Sequence, residues 1–557
     1  MDDADADDGN IANRFNKYFI NMVEKLKQND SDSNNKFKKY LNSFPSMQNS
    51  FYMNEFSAGE IIEVIDELKG KKAPGFDGIH PKVLKECKFE LAEVLRRICN
   101  AIITESEVPE KMKISRIIPI YKKGDPRKLC NYRPISIIPV LAKIFEKLLY
   151  KKLLNYFDKY HVLHDNQFGF TKHKSTEIAV MHAINYIQKE LDNKNNVIGV
   201  FLDLKKAFDV IDHSILLQKL EHYGIRDRMY KLISSYLENR KQYVKIGDFN
   251  SDYVINTAGV PQGSVLGPFF FIIYLNDFFY AFNETYIISY ADDTSIFFNY
   301  RENERNRKII EIENVMEDIS DWFYSSNMYI NYEKTKAIMF HNKNKKIEEI
   351  EIKINQNIIE YTDNINYLGI IIQKNLYWNL HVDIISKKLA RNIGAIYGIR
   401  EVVTNKILHI LYHAFVIPII NYGVTSWGQT TQKNKNRINL LLKRLCRILT
   451  TGNSTCNMEE KLFTKVEQLY EFKIGLLMYD RILHNLNTNL ITIKKPNHHY
   501  NTRNTGNLLP VTARTNLYYN GINSIGPVFW NKLPQEIQGI NSRRLFAKRL
   551  KQYLLNQ

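Results

Sequence analysis

The sequence predicts an α+β fold large enough for several domains, and three observations carry that expectation. The run Val197-Ile198-Gly199-Val200-Phe201-Leu202 is apolar and largely β-branched or aromatic, as a buried strand is, and it ends on Asp203-Leu204. Two further strand-like runs, Tyr286-Ile287-Ile288-Ser289 and Ser295-Ile296-Phe297-Phe298, flank Tyr290-Ala291-Asp292-Asp293. Asp is depleted from strands and favoured in turns, so this pattern predicts a hairpin with two carboxylates at its tip. Elsewhere helical spacing prevails. Asp212 stands as an N-cap before a stripe of Leu216, Leu217 and Leu220, and Leu380, Ile384, Ile385 and Leu389 mark one side of a later helix.

Taken in order, residues 1–55 are polar and Asn-rich and read as a linker or extension with one helical patch, Ile11 to Leu26. Residues 56 to about 190 alternate helix and loop; the Asp77-Gly78 turn and Pro81 open a helix through Leu91 and Ile98. Residues 191–345 run strand, helix, helix, hairpin, helix, strand, which predicts a mixed, largely antiparallel sheet. Within them, Ala258-Gly259-Val260-Pro261-Gln262-Gly263-Ser264-Val265-Leu266-Gly267-Pro268 forms a Gly- and Pro-rich loop before an apolar helix reaching Leu275-Asn276-Asp277. Residues 346–430 read as a bend followed by helices, and 431–557 as a basic helical region. In that last region 20 Lys or Arg face 6 Asp or Glu, which supplies +14 of the chain's net +17. Lys443-Arg444-Leu445-Cys446-Arg447 and the stretch from Arg543 to Lys551 concentrate it, the latter with Leu545, Leu550 and Leu554 near helical spacing.

Side-by-side carboxylates repel and are costly to keep ionised without a cation between them. One acid at a strand end plus a pair in a hairpin turn suits a two-metal site, where divalent ions about 3.5–4 Å apart clamp the oxygens of a phosphoryl displacement. Mg²⁺, which prefers hard oxygen ligands, is the natural occupant of such a site, with Mn²⁺ as an alternative. A net charge of +17 and a pI near 9.2 point to a polyanionic partner. Cys87, Cys99, Cys130, Cys446 and Cys456 are too scattered for a disulfide framework or a zinc knuckle. Met1-Asp2-Asp3-Ala4-Asp5-Ala6-Asp7-Asp8 does not read as a signal peptide, and no apolar run has the length of a membrane span.

FLDLKKAFD (201–209), GVPQGSVLGP (259–268) and YADD (290–293) resemble motifs A, B and C of reverse transcriptases, in wording close to the LINE-type (non-LTR) retrotransposon polymerases, the jockey-like group in particular. They occur in the family's order, with Asp203 and Asp292 lying 89 positions apart. The resemblance extends upstream through Lys72-Ala73-Pro74-Gly75-Phe76-Asp77-Gly78-Ile79, Arg116 to Gly124, Asn131-Tyr132-Arg133-Pro134-Ile135-Ser136 and Asn166-Gln167-Phe168-Gly169-Phe170. Downstream, Asn331-Tyr332-Glu333-Lys334-Thr335-Lys336 looks like motif D and Tyr367-Leu368-Gly369-Ile370 like motif E.

The resemblance implies a right-hand polymerase of fingers and palm (56–345), primer grip and thumb (346–430), and a basic C-terminal region (431–557) that holds nucleic acid. It implies an RNA-directed DNA polymerase that extends a DNA primer, such as nicked target DNA, on an RNA template from deoxynucleoside triphosphates. Asp203, Asp292 and Asp293 would hold the metal ions, and Phe208 would be the aromatic gate against the ribose 2′-hydroxyl. Gln262 and Gly263 would floor the nucleotide site, and Arg133, Lys122 and Lys123 would meet the triphosphate. Lys334, with Lys336 as rival, would protonate pyrophosphate, and Tyr367, Leu368 and Gly369 would form the primer grip. The 1–55 segment resembles the stretch that follows an endonuclease in the family, and the sequence reads as lacking that nuclease. An intracellular protein is implied, carried in a cytoplasmic ribonucleoprotein and acting in the nucleus at the copying step. One departure stands out: Thr171 occupies the place of the family's usual arginine, with Lys172 and Lys174 nearby. A silent RNA-binding protein on the same fold and a metal-dependent nuclease are the competing readings, and the Phe208 and PQGSVLGP features have no purpose in cleavage.

Overall fold

The computed structural model describes residues 8–27, 36–341, 350–450, 462–487, 489–494 and 507–556; the acidic run before Asp8 and Cys456 fall outside them. Two five-stranded sheets organise the chain. The first is ordered β2 (Tyr132–Ile137), β1 (Ile114–Tyr121), β4 (Arg240–Ile246), β5 (Phe249–Asn250), with β6 (Val254–Asn256) also on β4. Its β1 and β4 run parallel and its other pairs antiparallel. The second, central sheet is ordered β12 (Glu360–Tyr361), β9 (Lys336–Phe340), β3 (Asn196–Leu202), β8 (Asp293–Tyr300), β7 (Tyr286–Tyr290). Two small ribbons, β10 (Lys353–Ile354) with β11 (Asn357–Ile358) and β13 (Asn364–Tyr367) with β14 (Ile370–Gln373), complete the strands.

Every residue of β3 is buried, because both faces of the central sheet are covered. Successive side chains of a strand point to opposite faces. Accordingly Ile198, Val200 and Leu202 enter one apolar core, whereas Val197 and Phe201 enter another. The same alternation sends Ile296 and Phe298 one way and Phe297 the other, and divides Ala337 and Met339 from Ile338 and Phe340. At Gly199 a Cβ would stand 3.2 Å from the rings of Phe201 and Phe297. The sheet is thus a partition between two cores.

The helices that matter here are α1 (Asp8–Lys27), α2 (Pro81–Glu86), α3 (Lys88–Glu105), α4 (Val140–Lys159), α5 (Thr176–Asp192), α6 (His213–His222), α7 (Leu266–Tyr274), α8 (Asn276–Ala281), α9 (Arg305–Ser325), α10 (Asn379–Ile399), α11 (Gln432–Thr450), α12 (Val466–Leu483), α13 (Ile522–Lys532) and α14 (Arg543–Leu555). The first core gathers α3, α4, α6, α7, α8 and α9. The Asp212 carboxylate caps α6 by accepting from Ser214 N and Ile215 N, and Leu216, Leu217 and Leu220 are buried as the sequence indicates. Lys219 of α6 and Asp277 of α8 form a wholly buried ion pair at 2.6 Å, with Trp322 Nε1 of α9 donating to the second Asp277 oxygen at 3.3 Å. Removing either partner would strand a charge, so the pair fixes how three helices meet.

Several expectations need adjusting. Residues 8–27 do not behave as a linker. In α1, Ala12, Phe15 and Phe19 pack on Ile117 and Val244 of the first sheet, and Asn16 exchanges hydrogen bonds with Ser251, Asp252 and Gln242. The helix expected through Leu91 and Ile98 is two helices, interrupted at Cys87. On α10 the buried stripe is Val382, Ile385, Leu389, Ile393 and Ile396, while Leu380 and Ile384 are exposed. On α14 it is Phe546, Leu550 and Leu554; Leu545 points outward, because spacing of four runs from 546 and not from 545. The second core runs from α5 across the sheet through α10, α11, α12, α13 and α14. Residues on both sides of position 430 therefore share one interior. No helix among the described residues is long and apolar enough to cross a membrane.

Candidate active site

Asp203, Asp292 and Asp293 meet at one end of the central sheet. β3 and β8 pair antiparallel up to Leu202 opposite Thr294, so Asp203 and Asp293 each stand at that same end. Tyr290 pairs with Asp293 across the hairpin, leaving Ala291 and Asp292 as a two-residue turn. Ala291 takes a φ of +55°, a conformation an L-residue holds only when its surroundings impose it. Here they do. The segment Asn166–Gly169 lies along β7, with Phe168 N donating to Ser289 O and Ser289 N to Asn166 O. The Gln167 side-chain oxygen accepts from Ala291 N at 3.3 Å, and Ser289 Oγ donates to Ala291 O at 2.7 Å. A Cβ on Gly169 would lie 2.2 Å from Ala291 N, so only glycine admits this approach.

Asp203 is held from below by the turn that follows α9. Its Oδ2 accepts from Asn331 Nδ2 at 2.9 Å and faces Lys334 Nζ at 3.6 Å. Its carbonyl accepts from Asn331 N, and Thr335 Oγ1 approaches its amide. Lys336, by contrast, points away to Glu360 at 2.5 Å.

The electrostatics bind these groups into one cluster. Burial of the carboxyl group in the cleft raises Asp292, with the Asp203 charge adding to it and Arg133 and Lys122 opposing. Burial, then the charges of Asp292 and Asp203, push Asp293 up to about 6, against Lys122. The residues as wholes remain accessible, so the carboxyl groups lie in an open cleft and not in a sealed interior. Lys122 is lowered by partial burial and by the neighbouring cations Arg133, Lys334 and Lys123, with Asp203 opposing. Three acids and four cations thus share one cleft. Among the described residues no three His, Cys, Asp or Glu side chains gather tightly enough to hold a metal ion by themselves. The Asp203 carboxylate is engaged by Asn331 and Lys334. Three carboxylates are an all-oxygen donor set, which suits a hard divalent cation.

Phe208, half-buried, stacks on Phe271 at 4.4 Å and meets Phe170 edge-on at 6.2 Å. Gln262 N–H groups are engaged too: Nε2 donates to Asp209 Oδ1 at 2.6 Å, while the Gln262 carbonyl accepts from Ser136 N at 2.8 Å. Gly263 has φ +134°, and a Cβ there would lie 2.4 Å from Ser136 O. Leu368 and Gly369, both at positive φ, are the two-residue turn joining β13 to β14. Tyr367 is a different matter. Its side chain is buried under the central sheet, the ring against Phe201 and the hydroxyl accepting from Ser295 Oγ, so the exposed tip is formed by Leu368 and Gly369. Thr171 donates to the carbonyls of Gln167 or Phe168, and Lys174 Nζ is spent on Asp165 O and Gln167 O. Neither therefore offers what an arginine would.

Gln167, Asp209 and Asn331 received no role from the sequence, yet each touches the site. All three sit inside recognisable blocks, which was the available signal; only their contacts, 53 to 128 positions away, show what they do.

The fold thus brings Asp203, Asp292 and Asp293 to one end of the central sheet, with Lys122, Lys123, Arg133 and Lys334 among the charges around them. Residues 120–372 match the family model described as reverse transcriptase (RNA-dependent DNA polymerase). It is similar to the probable RNA-directed DNA polymerase from transposon BS of Drosophila melanogaster, 28% identical over 76% of this chain and 48% of that protein. It is also similar to the RNA-directed DNA polymerase from mobile element jockey of Drosophila melanogaster, 27% identical over 74% and 45%. A third relative, the probable RNA-directed DNA polymerase from transposon X-element of the same organism, is 25% identical over 82% and 50%. The chain spans about half the length of these curated relatives.

Proposed function

We propose that this chain is the RNA-directed DNA polymerase of a non-LTR retrotransposon, extending a DNA primer on an RNA template. The observation that carries this reading is the convergence of Asp203, Asp292 and Asp293 beside Lys122, Arg133 and Lys334. Asp203, Asp292 and Asp293 would hold two Mg²⁺ ions, or Mn²⁺ in their place. When bound, such ions lower the charge that builds on the attacking and leaving oxygens of the phosphoryl transfer. Lys122, Lys123 and Arg133 neutralise the incoming triphosphate, Arg133 with a planar fork and the lysines as mobile point charges. Lys334, which stands beside Asp203 while Lys336 is engaged by Glu360, gives a proton to the departing pyrophosphate. Phe208 bars a ribose 2′-hydroxyl, and Gln262 and Gly263 support the base pair being formed. Leu368 and Gly369 guide the primer end.

In this reading the first sheet and α1–α4 are fingers, the central sheet is the palm, and the helices from α10 onward are thumb and nucleic-acid support. Exposed Lys443, Arg444 and Arg447 on α11 favour contact with template RNA or target DNA, since cations along one face release counterions from a phosphate backbone. Copying takes place in the nucleus, after passage through the cytoplasm as a ribonucleoprotein. The test is primer extension on an RNA template with Mg²⁺. The chain is expected to extend the primer and Asp292→Asn to give no product; equal product from both would remove the acids from the chemistry and with them this function.

A further inference from the structure

The loop Ala258–Gln262 roofs a small chamber of about 60 Å³ between α1 and the first sheet, lined among others by Phe19, Val23, Asp209, Arg240, Asn256 and Gln262. Its polar walls are unsatisfied within the protein. Asp209 Oδ1 accepts from Gln262 Nε2 at 2.6 Å, but Oδ2 is buried and unpartnered. Arg240, 2% exposed, leaves Nε and Nη2 without acceptors, and Asn256 Oδ1 has no donor. Buried donors and acceptors left unpaired forfeit their hydration without replacement, which favours water in the chamber. An ordered water needs about 10–15 Å³ and two to four polar partners, and this chamber supplies both.

Asp209 follows Phe208 directly, and the segments 208–211 and 259–260 are tied together by backbone. Val260 N donates to Phe208 O, Gly259 N donates to Ile211 O, and a Cβ on Gly259 would sit 2.6 Å from Asp209 O. The Phe208 ring and the Gln262 side chain are thereby joined through a single carboxylate. While Gln262 donates to Asp209 it cannot swing, and the 208–209 peptide cannot shift without moving it. Burial raises Asp209, against the Gln262 hydrogen bond and the Lys206 charge, which agrees with a carboxyl group lacking a contacting cation.

We propose that Asp209 is a positioning residue for sugar selection, coupling the Phe208 ring to the Gln262 floor, with ordered water in the chamber linking its second oxygen to Arg240 and Asn256. This rests on the polymerase reading above and adds to it the residue that sets the gate. The experiment is single-nucleotide insertion on a primed RNA template with Mg²⁺, giving kcat and KM for a deoxynucleotide and for the matching ribonucleotide. In Asp209→Ala the discrimination ratio falls about tenfold, the lower end of what a charge-assisted hydrogen bond carries. Asp209→Asn, whose oxygen still accepts from Gln262, keeps the ratio within about threefold of the unmodified chain. A folded, active Asp209→Ala with an unchanged ratio overturns the proposal, because a merely structural role lowers both substrates alike. If Asp209→Ala does not fold by thermal melting, Gln262→Met severs the same contact from the other side, and an unchanged ratio there overturns it equally. No incorporation by the unmodified chain defeats the polymerase reading instead, which keeps the two failures distinct.

Discussion

Gly263→Ala should cripple nucleotide insertion, and the structure sets the size of the effect. The added methyl would lie 2.4 Å from Ser136 O, whereas ordinary contact begins at 3.4 Å, so the loop and β2 must part by about 1 Å. They cannot part freely, because Ser136 N donates to the carbonyl of Gln262, the adjacent residue. The φ of +134° adds strain of roughly 1–3 kcal/mol for any residue with a side chain. A displacement of about 1 Å in a positioning element costs on the order of 10²-fold in rate. The expected result is therefore a kcat/KM for deoxynucleotide insertion on an RNA template reduced about a hundredfold, with a lower melting temperature. Gly394 supplies the control. It lies in α10 with nothing within 4 Å of a Cβ, so Gly394→Ala should leave activity intact and stabilise the helix by roughly 0.5–1 kcal/mol. If Gly263→Ala inserts nucleotides within threefold of the unmodified chain and melts at the same temperature, the argument that this glycine pins the floor is wrong.

The pH profile and motif D lysines give two further expectations. Asp293, raised to about 6, is charged above that value and neutral below it. Extension with Mg²⁺ should hence decline as pH falls through about 6, and saturating Mg²⁺ should move that decline to lower pH by competing with the proton. A raised carboxylate pKa also means the metal-free fold is penalised above pH 6 and relieved as the group takes up its proton, so Asp203→Asn, removing a repelling charge, should raise the melting temperature at pH 7.5 more than at pH 5. A pH-independent rate between 5 and 8 would contradict the cluster's electrostatics. Lys334→Ala should slow insertion about a hundredfold by removing a proton donor, while Lys336→Ala, which costs only a surface pair with Glu360, should stay within about threefold. Equal losses would refute the assignment.

Much of the site was legible because strand and turn chemistry are local. The apolar run ending at Asp203, the hairpin around Asp292 and the Asp212 cap follow from neighbours in sequence, and the structure forms each of them. What stayed hidden depends on distant partners. Tyr367 is expected at the primer grip from its motif, yet its hydroxyl meets Ser295, 72 positions earlier. Leu380, Ile384 and Leu545 are apolar in helical register, but which of two adjacent stripes faces inward is decided by the packing partner, and the partner chose Val382, Ile385 and Phe546. The N-terminal helix was polar enough to pass for a connector, because its contact rests on three small patches, Ala12, Phe15 and Phe19, and on one asparagine.

The partitioned central sheet has a consequence for how this protein can be dissected. Val197, Phe201, Phe297, Ile338 and Phe340 belong to an apolar core that extends through packed helices as far as residue 554, and α5 lies directly against their sheet. Cutting the chain before α10 would expose the side of that core that the later helices cover and invite self-association. The half that carries Asp203 and Asp293 thus shares its interior with the C-terminal helices and is not a separately packed unit.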